Sequence, residues 1–498
     1  MPSDSSSRRS SLQSAAEVVP SILSNSLAML AARLLVPLFS FGINVGIARL
    51  LGSQVLGQYV ELVALLFVAQ ALAGGGLNAI VTRDVAAHPE DRAELVRRAN
   101  RVGVASGLLA TAIYLLYVFL ILDPSAHRPA LLLAISIVPS AWIATQEGLF
   151  MGVHLHHRIT SMAFVEGAVK LAAGVAVFAL GGGIVGLCAG LTLARLVAVV
   201  YGSVLAVRAG AERGLSAPQR GTIEFARAVV PFALIATASV LYFRQDVLVV
   251  GALRSESETG LYGVATALYG MTMLLPGSVM SAVYPRLSAA FATSRDAYRR
   301  ATLLTTKVLT LCCVAMALGV IGVAPWIVAL LYGSEFAGAV PVFSLLAASF
   351  PLHAVNGTLG QAMQAAHLER EMLLATVATV IVNLCLNLVL VSRIGIEGAA
   401  VSMLITSGLA MFLLWWIFHQ RISPLPLRFS GVVATLAMVI PLGALLAAPE
   451  SLRLPGAAIG LAFAAAGARL SGMLTAGEIA SLSAAFGLRT PAAEVPSA

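Results

Sequence analysis

The sequence predicts an all-α polytopic membrane protein of about 14 transmembrane helices, on three observations. Of its 498 residues 59% are apolar and only 11% are charged, whereas an ordinary soluble domain carries roughly 25% charged residues. The mean hydropathy is +0.92. Apolar runs recur along the whole chain at the length of about 20 residues that a helix needs to cross a bilayer.

Charged residues punctuate these runs and define the spans in order. The Ser-rich stretch MPSDSSSRRSSLQ precedes a first run at 24–50, which is too long for a signal-peptide core and reads as the first span. Spans 2 to 6 follow at 59–81, 102–122, 130–151, 160–180 and 184–206. After the polar segment RAGAERGLSAPQRGT come spans 7 to 12, at 228–251, 260–284, 303–323, 341–364, 373–391 and 396–418. Spans 13 and 14 fall at 429–448 and 454–473. The expected organisation is a disordered cytoplasmic tail (1–20), an N-lobe of spans 1–6 (21–207) and a cytoplasmic linker (208–224). A C-lobe of spans 7–12 (225–420), spans 13 and 14 (421–474) and a cytoplasmic tail (475–498) complete it.

Arginine placement predicts the orientation. Of the 31 basic residues only Lys170 and Lys307 are lysine. The side shared by both termini collects 21 arginines and the opposite side five, Arg49, Arg128, Arg254, Arg393 and Arg453. The excess of positive charge in cytoplasmic loops then places both termini in the cytoplasm. The net charge of +8 belongs to this topology and to contact with anionic lipids, not to nucleic acid. No polar stretch is long enough for an extramembrane domain, and no GxxxxGK[ST] sequence occurs, so neither ATP hydrolysis nor a Rossmann domain has support. Cys188, Cys312, Cys313 and Cys385 all lie in apolar runs and read as small buried hydrophobes without a disulfide framework.

The chain also repeats itself. RLLGSQVLGQYV (49–60) aligns with ALRSESETGLYG (252–263), setting Gly57 on Gly260 and Tyr59 on Tyr262 at an offset of 203. The same offset sets Arg83 on Arg286. GIVGLCAG (183–190) aligns with GIEGAAVS (395–402) at an offset of 212, which also sets Gly148 on Gly360 and Arg158 on Arg370. Six spans per unit is an even number, so the two units share one orientation. Parallel repeats of this kind are related by an axis along the membrane normal and place a substrate path between them.

At these residues the sequence resembles a known family. ARLLGSQVLGQY, RQDVLVVGALRSESETGLYGVATAL, VYPRLS, LLYGSEFAGAV and NLCLNLVLVSRIGIEGAAVS are similar to segments of lipid-linked oligosaccharide flippases. These form the polysaccharide-transport (O-antigen type) branch of the multidrug/oligosaccharidyl-lipid/polysaccharide exporter superfamily. The resemblance covers roughly residues 20 to 425. It implies two six-helix lobes around a central cavity, with two further helices at the C-terminal end. The implied activity is alternating-access transfer of a polyprenyl-pyrophosphate-linked oligosaccharide from the inner to the outer leaflet of a bacterial cytoplasmic (inner) membrane. Such transfer serves O-antigen, lipopolysaccharide, capsule or exopolysaccharide synthesis, with membrane lipids and polysaccharide polymerase machinery as partners. No cofactor, metal or catalytic group is implied.

Candidate site residues are the ionisable groups placed in hydrocarbon, each costing about 2.5–3.5 kcal/mol on insertion scales. They are Arg33, Glu61, Glu147, Glu166, Lys170 and Arg195 in spans 1 to 6, and Arg244, Asp246 and Lys307 beyond them. Arg33, Arg244, Arg195, Lys307 and Asp246 are the candidate cavity charges, because guanidinium stays protonated when buried and its fork of donors matches phosphate oxygens. Glu166 and Lys170 stand four apart with Glu first, the favoured order for an ion pair along one helix. Glu61 and Glu147 sit near span ends, where they would snorkel or pair with loop arginines. Arg244 and Asp246 are two apart and point in different directions. Glu166, Lys170, Glu61 and His353 are the candidates for ion coupling or ion pairing, with His353 otherwise a hydrogen-bonded core histidine. HLHHR (154–158) reads as an interface turn, and Asn383 and Asn387 as glue between helices.

Three other functions compete. A multidrug antiporter of the same superfamily would need acids and aromatic faces in its site, whereas span 1 carries Arg33 and no acid. A peptidoglycan-precursor flippase shares the anionic lipid chemistry. A membrane polysaccharide polymerase would need a large outward loop, and the longest such stretch, 324–340, is mostly apolar.

Overall fold

The computed structural model describes residues 4–209, 221–422 and 439–470, and within them the side chains of residues 4–36, 281, 282 and 470 lie outside the description. Among the described residues the chain is helical, with no strand. This is the expected outcome for an apolar chain, because backbone groups inside a bilayer have no water and must bond within their own segment.

The helices are α1 (Asp4–Gly74), α2 (Leu77–Ala87), α3 (Arg92–Ile121), α4 (Pro124–Ala134), α5 (Ile137–Gly152), α6 (His156–Leu180), α7 (Gly183–Arg208) and α8 (Thr222–Leu253). Then come α9 (Glu256–Thr293), α10 (Arg295–Leu331), α11 (Ala339–Ala348), α12 (Phe350–Ala365), α13 (Glu369–Ile394) and α14 (Ile396–Arg421). A helix at 439–447, α15, and α16 (Glu450–Leu470) end the described chain. Among the described residues eleven helical runs are long and apolar enough to cross a membrane, or twelve when the pair α11 and α12, bent by 41°, counts as one span. The protein is therefore a multi-pass membrane protein.

The expected count of about fourteen is consistent with these runs. Pro37–Ala87 is a single run in that count, yet it carries the first two expected spans, broken at Gly52. That residue has φ 83° and ψ 178°, a backbone open essentially to glycine alone. Span 13 is described only from residue 439 onward. The helix α1 begins at Asp4, inside the stretch 1–20 expected as a tail. Most of the 208–224 linker, at 210–220, and the tail at 475–498 lie outside the described residues.

Packing divides the chain into two compact units, Met1–Gly263 and Val264–Ala498. The division falls inside α9, and α8, which packs along α1, belongs to the first unit. In the first unit a core of Leu62, Leu66, Leu77, Val81, Leu133, Ile137 and Phe150 joins α1, α2, α4 and α5. In the second, Cys313, Leu318, Phe350, Leu442 and Leu445 join α10, α12 and α15 to α16, and Tyr298, Met363 and Phe418 form another cluster. Ser294 caps α10, its side chain accepting from the Ala297 amide at 3.1 Å.

Exposed faces are apolar, the reverse of a soluble helix. On α3 the exposed positions include Leu108, Leu109, Ile113, Leu116 and Leu120, a face suited to lipid. All four cysteines are free, but only Cys188 and Cys313 are buried. Cys312 and Cys385 are exposed, against the expectation of burial. Asn383 does join helices: its Nδ2 donates to Ser402 Oγ (3.2 Å) and Thr406 Oγ1 (3.0 Å) across α13 and α14, while Asn387 Nδ2 donates to Asn383 Oδ1 (2.9 Å) on the same helix.

Candidate functional site

The first unit holds a cavity of about 660 Å³ walled by α1, α5, α7 and α8. Its floor of small residues, Ala71, Gly74, Gly75 and Ala144, lets the helices approach and leaves room for the larger polar groups. Those groups are Gln70 from α1, Glu147 from α5, Arg195 from α7 and Arg244 from α8, with Phe67 and Phe243 beside them.

The two guanidinium groups are held differently. Arg195 Nη2 lies 3.2 Å from Glu166 Oε1 and donates to Gln70 Oε1 at 3.2 Å. Arg244 lies over the ring of Phe67, 4.8 Å from its centroid, a contact worth about 0.5–2 kcal/mol. No carboxylate stands within ion-pair distance of Arg244 among the described residues. Glu147 interacts electrostatically with Arg195 and Glu166, and Lys170 with Glu166, Arg195 and Arg244. The result is a mixed cluster of acids and bases, in which Asp246 also acts electrostatically on Arg244.

This geometry corrects the expected Glu166–Lys170 pair. The close packing of α6 on α7 brings Arg195 to Glu166, while Lys170 Nζ turns to α1 and donates to Ser40 Oγ at 3.1 Å. A cross-helix partner with a planar fork displaces the flexible neighbour on the same helix. Glu147 lines the cavity. Glu61 is buried, and among the described residues it forms no ion pair with a loop arginine; α8 covers it at Gly251.

Asp246 faces away from the cavity wall: it accepts from the Tyr262 hydroxyl at 2.5 Å and the Val247 amide at 3.0 Å. Lys307 and His353 belong to α10 and α12 in the second unit. His353 Nδ1 lies 3.1 Å from the Ser349 carbonyl, and its ring meets Tyr269 edge-on at 5.8 Å. The side chain of Arg33 lies outside the described residues. In HLHHR, Arg158 donates to the Leu205 carbonyl at 2.7 Å, and among the described residues no group of His, Cys, Asp and Glu has the arrangement of a metal site. Sequence reasoning missed Phe67, Gln70 and Phe243. A glutamine in the middle of span 2 was the one available signal, since phenylalanines in apolar runs carry none.

The chain is thus a multi-pass helical protein with two guanidinium groups set into a cavity between its helices. The family model described as "Polysaccharide biosynthesis protein" matches residues 22–291, more than half of the chain, and the protein belongs to that family. The chain is 25% identical over 229 residues to the probable low-salt glycan biosynthesis flippase Agl15 of Haloferax volcanii. That similarity covers 45% of this chain and spans about half (48%) of the relative's length. Among solved structures, the lipid II flippase MurJ in an inward closed conformation matches with a TM-score of 0.70 at 13% identity, over 90% of this chain and 99% of that one. An inward-facing multidrug resistance MATE family transporter of the MOP superfamily matches with a TM-score of 0.66 at 14% identity, over 80% and 98%. At these identities the two structures establish the fold alone.

Proposed function

We propose that the protein is a flippase that moves a polyprenyl-pyrophosphate-linked oligosaccharide from the inner to the outer leaflet by alternating access. The observation that carries this reading is the cavity with Arg195 and Arg244 inside a membrane-spanning unit. A pyrophosphate head cannot cross hydrocarbon unaided, and guanidinium offers it charge and paired donors in a place that water and sugar can also occupy. Arg244, packed on Phe67 with no carboxylate at ion-pair distance among the described residues, is the primary phosphate contact. Arg195, shared with Glu166 and Gln70, is the secondary one. Arg33 and Lys307 join them on sequence grounds, in two six-span lobes that rock against each other with both termini cytoplasmic. The family membership and the likeness to a probable glycan biosynthesis flippase support the substrate class. The product feeds O-antigen, capsule or exopolysaccharide assembly by a polymerase at the outer face of the cytoplasmic membrane.

The test is a proteoliposome assay with a fluorescent polyprenyl-pyrophosphate oligosaccharide, scored by its exposure to an impermeant lectin on the opposite leaflet. Protein-dependent exposure of this lipid, with no uptake of organic cations, is the expected result. Cation transport without glycolipid transfer would replace this reading with drug export.

A further inference from the structure

We propose that Glu61 is a proton-binding site that latches the seam between the Ser53–Glu61 segment of α1 and the start of α9. The proposal goes beyond the glycan reading, since it concerns what switches the carrier and not what the carrier moves.

The seam is backbone against backbone. Gly57 abuts the Glu256 carbonyl and lies against Gly260. Around it, the hydroxyls of Ser53 and Ser257 meet at 2.8 Å, and Gln58 Nε2 donates to Glu256 Oε1 at 2.6 Å and to Ser125 Oγ at 3.2 Å. One turn deeper lies Glu61, only 8% exposed. Its Oε1 accepts no hydrogen bond. The α8 backbone covers it so closely that a Cβ on Gly251 would stand 2.5 Å from its Cδ. The charged groups that act on Glu61 are two further carboxylates, Glu256 on α9 and Asp123 at the start of α4. Tyr117 on α3 is its titratable neighbour.

An ionised carboxylate with an unpartnered oxygen in a buried site facing other carboxylates is strongly disfavoured. The closed seam therefore holds Glu61 as the neutral acid. Parting the seam admits water, and the carboxyl releases its proton to that water. Closing takes up one proton and opening gives it back, so low pH favours the closed seam, by at most tenfold per pH unit for one proton. The arginine bias assigns this end of the spans to the outer face, so the proton is exchanged with the outside.

The experiment uses the full chain in nanodiscs, without substrate, with Cys188 replaced by alanine and Cys312, Cys313 and Cys385 by serine. Spin labels go on Leu50→Cys and Leu253→Cys, which flank the seam and are 64% and 43% exposed, and electron–electron distances are measured from pH 5 to pH 9. The short-distance population should fall about fivefold or more as pH rises. With Glu61→Gln it should stay at its low-pH level throughout, and with Glu256→Gln the pH response should persist. A wild-type distribution that ignores pH overturns the latch whether or not the Glu61 variant folds. A pH response that survives Glu61→Gln, or vanishes with Glu256→Gln, overturns it as well. A pH-dependent seam in a protein that moves no glycolipid removes the proposed function and leaves the latch; glycolipid transfer with a pH-blind seam does the opposite.

Discussion

Gly57 and Gly260, the residues that the internal repeat sets as equivalent, lie backbone against backbone. A Cβ on Gly57 would strike the Glu256 carbonyl oxygen and stand 2.9 Å from the Gly260 amide nitrogen. A Cβ on Gly260 would strike the Ser53 carbonyl oxygen and stand 3.2 Å from the Gly57 amide nitrogen. Ser53 and Glu256 are themselves related by the same offset of 203, so each half of the contact mirrors the other. Gly263 continues the pattern, since its Cβ would meet Val60, its own equivalent, at 2.9 Å. Self-complementary contacts of this kind arise where two like elements meet on their common axis.

Reciprocity makes a quantitative prediction. Gly57→Ala and Gly260→Ala each force a methyl group into a carbonyl that cannot rotate away, and overpacking of this kind costs about 1–3 kcal/mol. The two variants should lower the melting temperature of the purified protein by similar amounts. Gly42→Ala, where a Cβ would meet nothing within 4 Å, should leave it unchanged or raised. A large effect at one glycine and none at the other would show that the contact is not reciprocal.

The Glu166–Arg195 pair predicts a pattern of coupling. The two side chains are 27% and 18% exposed, and removing one partner of a buried pair costs about 3–5 kcal/mol because a lone charge remains. Partial exposure puts the expected loss at the low end of that range. Glu166→Gln and Arg195→Gln should therefore each destabilise, while the double variant loses little more than either single one. Lys170→Met should couple to Glu166→Gln only weakly, through charge alone, because the Lys170 ammonium donates its hydrogen bond to Ser40 and not to Glu166. Strong coupling between positions 166 and 170 in a double-mutant cycle would restore the pair along one helix.

How much of this was legible in the sequence follows from which signals are local. The spans are read from runs of apolar residues, and their placement survives in helices such as α6, α7, α13 and α14. Arg195 and Arg244 stand out because an ionisable group in an apolar run has few explanations, and both line the cavity. Glu166 was given the wrong partner because spacing along a helix is visible in a sequence, whereas the rotation of α6 against α7 is not. Phe67 was invisible for a related reason: one phenylalanine among many becomes a cation's platform only when α8 packs along α1. The equivalence of Gly57 and Gly260 was legible, but an alignment of repeats does not say that the equivalent residues touch.

The arginine bias makes a prediction about orientation. Reporter fusions after Arg421 should be active on the cytoplasmic side, and fusions after Arg254 on the outer side. The measurement is paired alkaline phosphatase and green fluorescent protein activity at each site. Both sites reporting the same side would break the two-lobe topology, because an odd number of spans separates them in the proposed arrangement.

The last prediction concerns Arg244 and the ring beneath it. If this guanidinium receives a pyrophosphate, loss of transfer should follow charge and fork geometry more than side-chain volume. Arg244→Lys keeps the charge but loses the paired donors, so it should retain partial glycolipid transfer. Arg244→Gln should abolish transfer while membrane abundance stays near that of the parent. Phe67→Leu keeps an apolar body under the guanidinium and removes the π face, which is worth about 0.5–2 kcal/mol. It should thus slow transfer by roughly two- to thirtyfold, and it should do so only while Arg244 is present. In the Arg244→Gln background the same substitution should change nothing further. The assay is lectin accessibility of a fluorescent lipid-linked oligosaccharide in proteoliposomes, normalised to reconstituted protein. Full activity of Arg244→Gln would remove the cationic contact from the mechanism, and a Phe67→Leu defect that persists without Arg244 would make the ring a packing element alone.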